Sequence, residues 1–343
     1  MKVPIQNIYY LLCFAWRFIP EDLAIDVGAI DSPDAMNLCA HVLTDGIDRL
    51  LRRGIDQGYI TEVDETPRLR GRIDVTSTIT RLSWLHARAV CHFDELTPNI
   101  LQNRILRTTI RLLLNANIEQ RLRNRVHETD RRLSGIEPIT LNASLFHRVQ
   151  LHRNNSFYAF LMRICELVHL SMLPDQTGQG RSSFRDILSD ETLMATVFEE
   201  FVRNFYSLKQ SRFTVSRSYP QWQATAVNGY DLNFLPKMTT DVTLSSVSRM
   251  IIIDAKYYRE ALQANYGKRT VHSGNLYQLM AYLRGTLGRA SVGQVPEGIL
   301  LYPAGEVTPD LRYTIDGFPV RICTVNLNQP WREIEQDLFE IIR

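Results

Sequence analysis

The residues with the clearest capacity for chemistry are Asp241, Asp254 and Lys256. They lie in the segments MTTDVTL (238–244) and MIIIDAKYY (250–258), separated by the polar stretch SSVSR (245–249). The first segment alternates like a half-buried strand, the polar stretch predicts a turn, and the last reads as a buried strand that abruptly becomes charged. Side chains two apart on a strand share a face, so Asp254 and Lys256 point the same way. An antiparallel hairpin centred on Val247 and Ser248 sets Asp241 across from Asp254. Two carboxylates and an ammonium then converge at the end of an apolar strand, where uncompensated charge is costly. A divalent cation is the natural compensator. Hard oxygen donors with no histidine or cysteine beside them favour Mg²⁺ over zinc. Asp241 and Asp254 would hold the ion, together with the carbonyl of Ala255. Lys256 would orient or deprotonate an attacking water, or stabilise charge building on a phosphate. The plain alternative is a hairpin whose lysine makes a surface salt bridge worth little.

The elements that must position these residues follow from the apolar periodicity. The C-terminal part reads as a helix over 190–209, a strand over 213–219, the hairpin around 238–257, a helix over 275–287, strands over 298–302 and 320–327, and a closing helix from Trp331. That order predicts an α/β arrangement around a mixed sheet. The N-terminal part reads as a helix opened by Asp31-Ser32-Pro33 and closed at Gly54. A strand pair over 59–63 and 69–75 follows, joined at 64–67 into a protruding hairpin, and then helices over 100–115, 118–133 and 157–172. The segment 173–185 is the most loop-like stretch, so a boundary falls between about 145 and 190 and gives domains 1–155 and 156–343.

Composition sets the wider limits. The chain has 343 residues, 45% of them hydrophobic and 22% charged, as in an ordinary soluble protein of two domains. A net charge of only +2 means that nucleic acid would be met by a local patch or through a partner. Five scattered cysteines with no C-x-x-C pair support neither a zinc ribbon nor a disulfide framework, and point to the cytoplasm. The apolar run in residues 1–19 is broken by Arg17 and is too short to span a bilayer, so it reads as a core element and no membrane association is expected. Its aromatics Tyr9, Tyr10, Phe14 and Trp16 belong to that core. Eight dispersed histidines do not support a histidine nuclease.

A helix, a hairpin with D…D-x-K and a helix with Q-x-x-x-Y resemble the PD-(D/E)xK nuclease superfamily, especially its RecB-like members. The resemblance implies that Asp241, Asp254 and Lys256 are the catalytic residues, with Gln278 and Tyr282 in support. Glu199 falls where many members carry a further metal-associated glutamate, although beside Glu200 it reads equally well as a solvated helix face. A closer likeness runs from end to end. The stretches PIQNIYYLL (4–12), Ala15-Trp16, RGRID (70–74), NRI (103–105), Met238 with Thr240-Asp241, IDAKYY (253–258), NLYQLM (275–280) and CTVNL (323–327) are similar to the McrC family. That family supplies the nuclease subunit of the McrBC modification-dependent, type IV restriction system. The resemblance implies Mg²⁺-dependent cleavage of double-stranded DNA. It also implies a hexameric AAA+ GTPase ring, McrB, that binds GTP and reads methylcytosine, and an N-terminal α+β domain that docks into the ring pore and stimulates GTP hydrolysis. The absence of a G-x-x-x-x-G-K-[ST] motif agrees with GTP being bound by the partner, since Gly267-Lys268-Arg269-Thr270 lacks the spacing.

Two alternatives stay open at this point: an activator subunit with an idle nuclease site, and a stand-alone RecB-like repair nuclease. Arg70-Gly71-Arg72 is a candidate partner contact, because a glycine between two arginines suits close backbone approach. Lys268, Arg269 and His272, between the charged strand and the Gln278 helix, are candidate DNA contacts. The arginine-rich stretch 121–132 is interspersed with acids and reads as a solvated helix face.

Overall fold

The computed structural model describes residues 3–18, 34–151, 155–172, 188, 190–227, 232–258, 262–265, 268–287, 294–304 and 310–343. They divide into two compact units, one of Met36–Arg185 and one of Met1–Ala35 with Asp186–Arg343. The division therefore differs from a single cut at residue 155: the first helix, α1 (Ile5–Ala15), belongs with the C-terminal unit, and the helix expected over 157–172 belongs with the other. Among the described residues no helix is long and apolar enough to cross a membrane.

The unit Met36–Arg185 begins with α2 (Ala35–Arg53), whose expected cap at 31–33 lies outside the described residues. Gly54 follows with φ +92°, a conformation that stops a helix at little cost only in glycine. The hairpin expected over 59–75 does not form. Strand β1 (Gly58–Thr66) runs through the supposed turn, and the short β2 (Arg72–Ile73) does not pair with it. Both pair antiparallel with β3 (Ala89–Thr97), giving the order β1-β3-β2. Between β2 and β3 lies α3 (Val75–Thr80), capped by the Asp74 carboxylate, which accepts from the Ser77 amide at 2.9 Å. Those bonds to Ser77, and then His92, pull the Asp74 carboxyl down to about 2.

Helices α4 (Leu101–Leu114), α5 (Gln120–Arg132), α6 (Ala143–Arg148) and α7 (Ser156–Leu170) complete the unit. Fully buried Asn103 has a structural task here. Its amide donates to the carbonyls of Asp56 and Pro98, both at 2.8 Å, and its oxygen accepts from the Tyr158 hydroxyl at 2.9 Å. The arginines of α5 are less solvated than their pattern suggests. Arg125 pairs with Asp45, Arg132 with Asp48, and Arg123 closes the carbonyls of Leu114 and Ala116 after α4.

The other unit is built on α8 (Glu191–Lys209) and a six-stranded mixed sheet. The strands are β4 (Thr214–Ser216), β5 (Val242–Ser245), β6 (Met250–Ala255), β9 (Glu297–Pro303), β10 (Leu311–Ile315) and β11 (Phe318–Val325), after a separate small ribbon of β7 (Leu262–Asn265) and β8 (Lys268–Val271). The order is β10-β11-β9-β6-β5-β4, with β9 parallel to both β6 and β11. A central strand flanked on both sides must be apolar along its length, as the Ile251–Ile253 core of β6 is. Helices α9 (Ser273–Thr286) and α10 (Trp331–Ile341) flank the sheet.

α1 is sewn into this unit. The Asn7 amide donates to the carbonyls of Leu327 and Gln329, both at 2.8 Å. Phe14 stacks on Trp331 at 5.4 Å and meets Phe201 and Phe205 of α8. The aromatics of the first segment are thus core, with Tyr9 and Phe14 buried and Tyr10 stacked on Trp331 at 4.8 Å.

Candidate active site

The hairpin of β5 and β6 has the register that places Asp241 opposite Asp254. Its ladder runs from Ser245↔Met250 to Val242↔Ile253, and one further step reaches the two aspartates. By the two-residue repeat of a strand, Asp254 and Lys256 share a face with Ile252. Ile252 packs in the cluster with Leu279, Met280, Tyr282 and Leu283 of α9. The charged end of β6 therefore lies on the face that α9 covers.

Asp254 is 0% exposed. One of its oxygens, Oδ1, accepts from the Lys256 ammonium at 3.0 Å, and Lys256 itself is 15% exposed. The other oxygen, Oδ2, is buried and accepts no hydrogen bond from any described residue. Burial first, and then the charge of Asp241, push the Asp254 carboxyl upward against the pull of Lys256. Asp241 is tethered differently, with Oδ2 accepting from the backbone N–H of Ala255 at 2.9 Å. Ala255 is in turn held in the ladder between β6 and β9.

Glu199 of α8 is drawn towards this centre rather than left on a solvated face. Burial and then the charge of Asp241 raise its carboxyl to about 7, opposed by Lys256, Arg217 and Arg203. Its neighbour Glu200 pairs with Arg203 at 3.5 Å. Among the described residues no group of three or more histidine, cysteine, aspartate or glutamate side chains is gathered to hold a metal, so Glu199 does not complete a cage with the two aspartates. The donor set still fits a hard divalent cation. It offers two carboxylates, one with an unspent buried oxygen, and no soft ligand.

Gln278 and Tyr282, one turn apart on α9, are bonded to each other, the Gln278 amide donating to the Tyr282 hydroxyl at 2.6 Å. Burial leads the rise of the Tyr282 phenol, and the charges of Asp254 and Asp241 add to it. His272, at the start of α9, stacks on Tyr258 at 4.8 Å, two residues beyond Lys256. Lys268 and Arg269 lie on β8, and their side chains are outside the described residues. Arg70, Gly71 and Arg72 lie in the other unit. The Arg70 guanidinium sits 3.4 Å from the Phe93 ring centroid, and Gly71 has φ +64°. A Cβ on Gly71 would come within 2.1 Å of the His92 carbonyl oxygen, so close approach explains this glycine.

One group escapes a reading based on charge. The hydroxyls of Ser218, Thr240 and Thr243 form a closed trio, with oxygens 3.1, 2.8 and 2.9 Å apart. The Thr240 amide also donates to the Ser218 carbonyl at 3.1 Å. Together these bonds fix the backbone just before Asp241. A pair of threonines flanking an aspartate in a strand is the only sequence trace of this clamp.

Fold and centre define a mixed-sheet α/β protein whose β-hairpin carries two carboxylates backed by a lysine. The chain belongs to the family described as McrBC 5-methylcytosine restriction system component, whose model matches residues 10–303. It is 32% identical over 340 residues to the type IV methyl-directed restriction enzyme EcoKMcrBC of Escherichia coli (strain K12), covering 99% of this chain and 97% of that one. The same fold occurs in a refined half-complex from a tetradecameric assembly of Thermococcus gammatolerans McrB AAA+ hexamers with bound McrC. That match has a TM-score of 0.59 at 18% identity and covers 98% of this chain and 76% of the other.

Proposed function

We propose that this chain is the Mg²⁺-dependent, PD-(D/E)xK-type DNA endonuclease subunit of a GTP-driven, methylcytosine-directed restriction complex of the cytoplasm. The observation that carries the reading is the buried, unbonded Oδ2 of Asp254, set by strand register against Asp241 and backed by Lys256. Its restriction-enzyme relative, similar over nearly the full length of both chains, supports it.

Asp241 and Asp254 would hold Mg²⁺, which when bound supplies Lewis-acid stabilisation of charge on the scissile phosphate. The ladder bond of Lys256 keeps its backbone fixed, its amide donating to the Leu301 carbonyl at 2.9 Å. Its ammonium, held by Asp254, orients the attacking water and meets negative charge as it builds. Tyr282 and Gln278 close the α9 side of the centre, and the hydroxyl trio keeps Asp241 from shifting. The five cysteines are buried, and no disulfide joins them among the described residues, which suits a reducing compartment.

The partner is an AAA+ ring, as in the assembly with the same fold, and in this reading it is the GTPase that binds the GTP. Its docking face is on the Met36–Arg185 unit. There the cross-strand neighbours Tyr59 and Leu96 are 75% and 51% exposed, and Trp84 and Leu85 are exposed after α3. The Tyr59–Leu96 pair is an exposed apolar patch on the sheet, and such a patch suits a surface that another protein covers.

Reconstitution tests the division of labour. The chain, its AAA+ partner and GTP together should cut methylated duplex DNA, and the chain alone should not. Cutting of unmethylated DNA by the chain alone, at the rate of the complex, would instead favour a stand-alone repair nuclease.

A further inference from the structure

The centre gathers carboxylates faster than it offers accessible positive charge. Asp241 and Asp254 meet there, close enough to Glu199 for the charge of Asp241 to raise its carboxyl, while Lys256 is largely enclosed and engaged with Asp254. A DNA strand presents one phosphate charge per nucleotide, so a backbone approaching these carboxylates needs a counter-charge that it can reach.

Arg217 supplies it. The ladder of β4 and β5 pairs Ser216 with Thr243, so Arg217 follows opposite Val242, the residue after Asp241. Its side chain is 40% exposed, and its Nη2 stands 3.9 Å from Glu199 Oε2, too far for a hydrogen bond. A second guanidinium crowds it. Arg203 lies one helical turn from Glu199 on α8, and after burial the charge of Arg217 is what most lowers the Arg203 pKa. The Arg203 Nη1 is buried with no hydrogen-bond partner among the described residues. Two like charges and loosely held guanidinium donors at the rim of an acidic centre are unfavourable alone and are relieved by a polyanion.

We infer that Arg217 is a substrate-contacting residue, binding a non-bridging phosphate oxygen of the DNA strand at the cleavage centre. The inference rests on the nuclease reading above. A guanidinium suits the task because its planar donors can grip a phosphate at two points, which an ammonium cannot.

The test pairs two readouts. One is single-turnover cleavage of methylated duplex by the complex of the full chain, its GTPase and GTP. The other is affinity of the full chain for a short duplex at several salt concentrations, with calcium replacing magnesium. Arg217→Ala is expected to slow cleavage by about ten- to a hundredfold and to flatten the slope of log affinity against log salt by about one unit, the signature of one lost phosphate contact. Arg217→Lys should restore the slope and only part of the rate. A slope unchanged in Arg217→Ala, with a rate within about twofold of the unmodified chain, would overturn the inference. Asp254→Asn in the same assays separates the two failures. If that variant is inactive while Arg217→Ala is normal, only the backbone contact is wrong; if it still cuts, the nuclease reading has failed.

Discussion

Replacing Asp254 by asparagine is expected to reduce DNA cleavage by roughly 10³-fold or more, yet to leave the metal-free protein at least as stable as before. The two effects share a cause. Asp254 is fully buried, and one of its oxygens has no hydrogen-bond partner among the described residues. In folding terms an ionised carboxylate there is a liability, because a buried charge is tolerated only when fully compensated. Burial raises its folded-state pKa above the unfolded value, so ionising Asp254 weakens the fold as pH climbs through and above that value. Asparagine is nearly isosteric, can still accept a hydrogen bond from Lys256, and removes the charge. It therefore removes the pH-dependent cost together with the metal-binding oxygen. Single-turnover cleavage in the reconstituted complex and thermal unfolding in chelator give the two readouts. Stimulation of GTP hydrolysis should persist, since the docking face proposed above belongs to the other unit. Retained cleavage, or a melting temperature several degrees lower, would show that Asp254 is an ordinary structural residue.

Phe14→Ala should produce the largest loss of stability, about 3–5 kcal/mol, from the cavity left by a buried aromatic. Phe14 fills the space between Trp331 of α10 and Phe201 and Phe205 of α8, the helix that carries Glu199. The damage should fall on the unit that holds Asp241 and Asp254, although Phe14 lies near the start of the chain. Urea unfolding followed by limited proteolysis distinguishes the units. The expected result is early loss of the sheet unit with the Met36–Arg185 fragment persisting. Early loss of that fragment instead would return α1 to the N-terminal domain.

That placement of α1 shows where sequence reading stops. The hairpin carrying Asp241 and Asp254 was legible because its signals are local: alternation, a polar turn, and an apolar strand that ends in charge. The register centred on Val247 and Ser248 follows from the length of that turn, and the structure has it. Helices with a strong apolar stripe, such as α4 and α8, were legible for the same reason. Strand partnership was not. Residues 59–75 contain two strands and a turn-rich link, so a hairpin is the local inference. The partner of both strands is β3, beyond α3, and no local pattern encodes that choice. The outer strand β10 was missed because it is largely exposed and lacks a run of buried residues. The stitch from Asn7 to Leu327 joins two family-like motifs at opposite ends of the chain, which no spacing rule connects. Within the site, residue types that do chemistry stood out. The hydroxyl trio and Arg217 did not, since serine, threonine and arginine are too common to signal a role without distances.

Cleavage by a Lys256→Ala variant tests the central claim most directly, because Lys256 would not hold the metal and its loss leaves both aspartates in place. The measurement is single-turnover cutting of methylated duplex by the variant assembled with its GTPase, GTP and Mg²⁺, with GTP hydrolysis followed in the same tube. A cutting centre on the β5–β6 hairpin predicts cleavage reduced by about a hundredfold or more alongside stimulated GTP hydrolysis equal to that of the unmodified chain. Cleavage at the unmodified rate would contradict it and place the chemistry elsewhere.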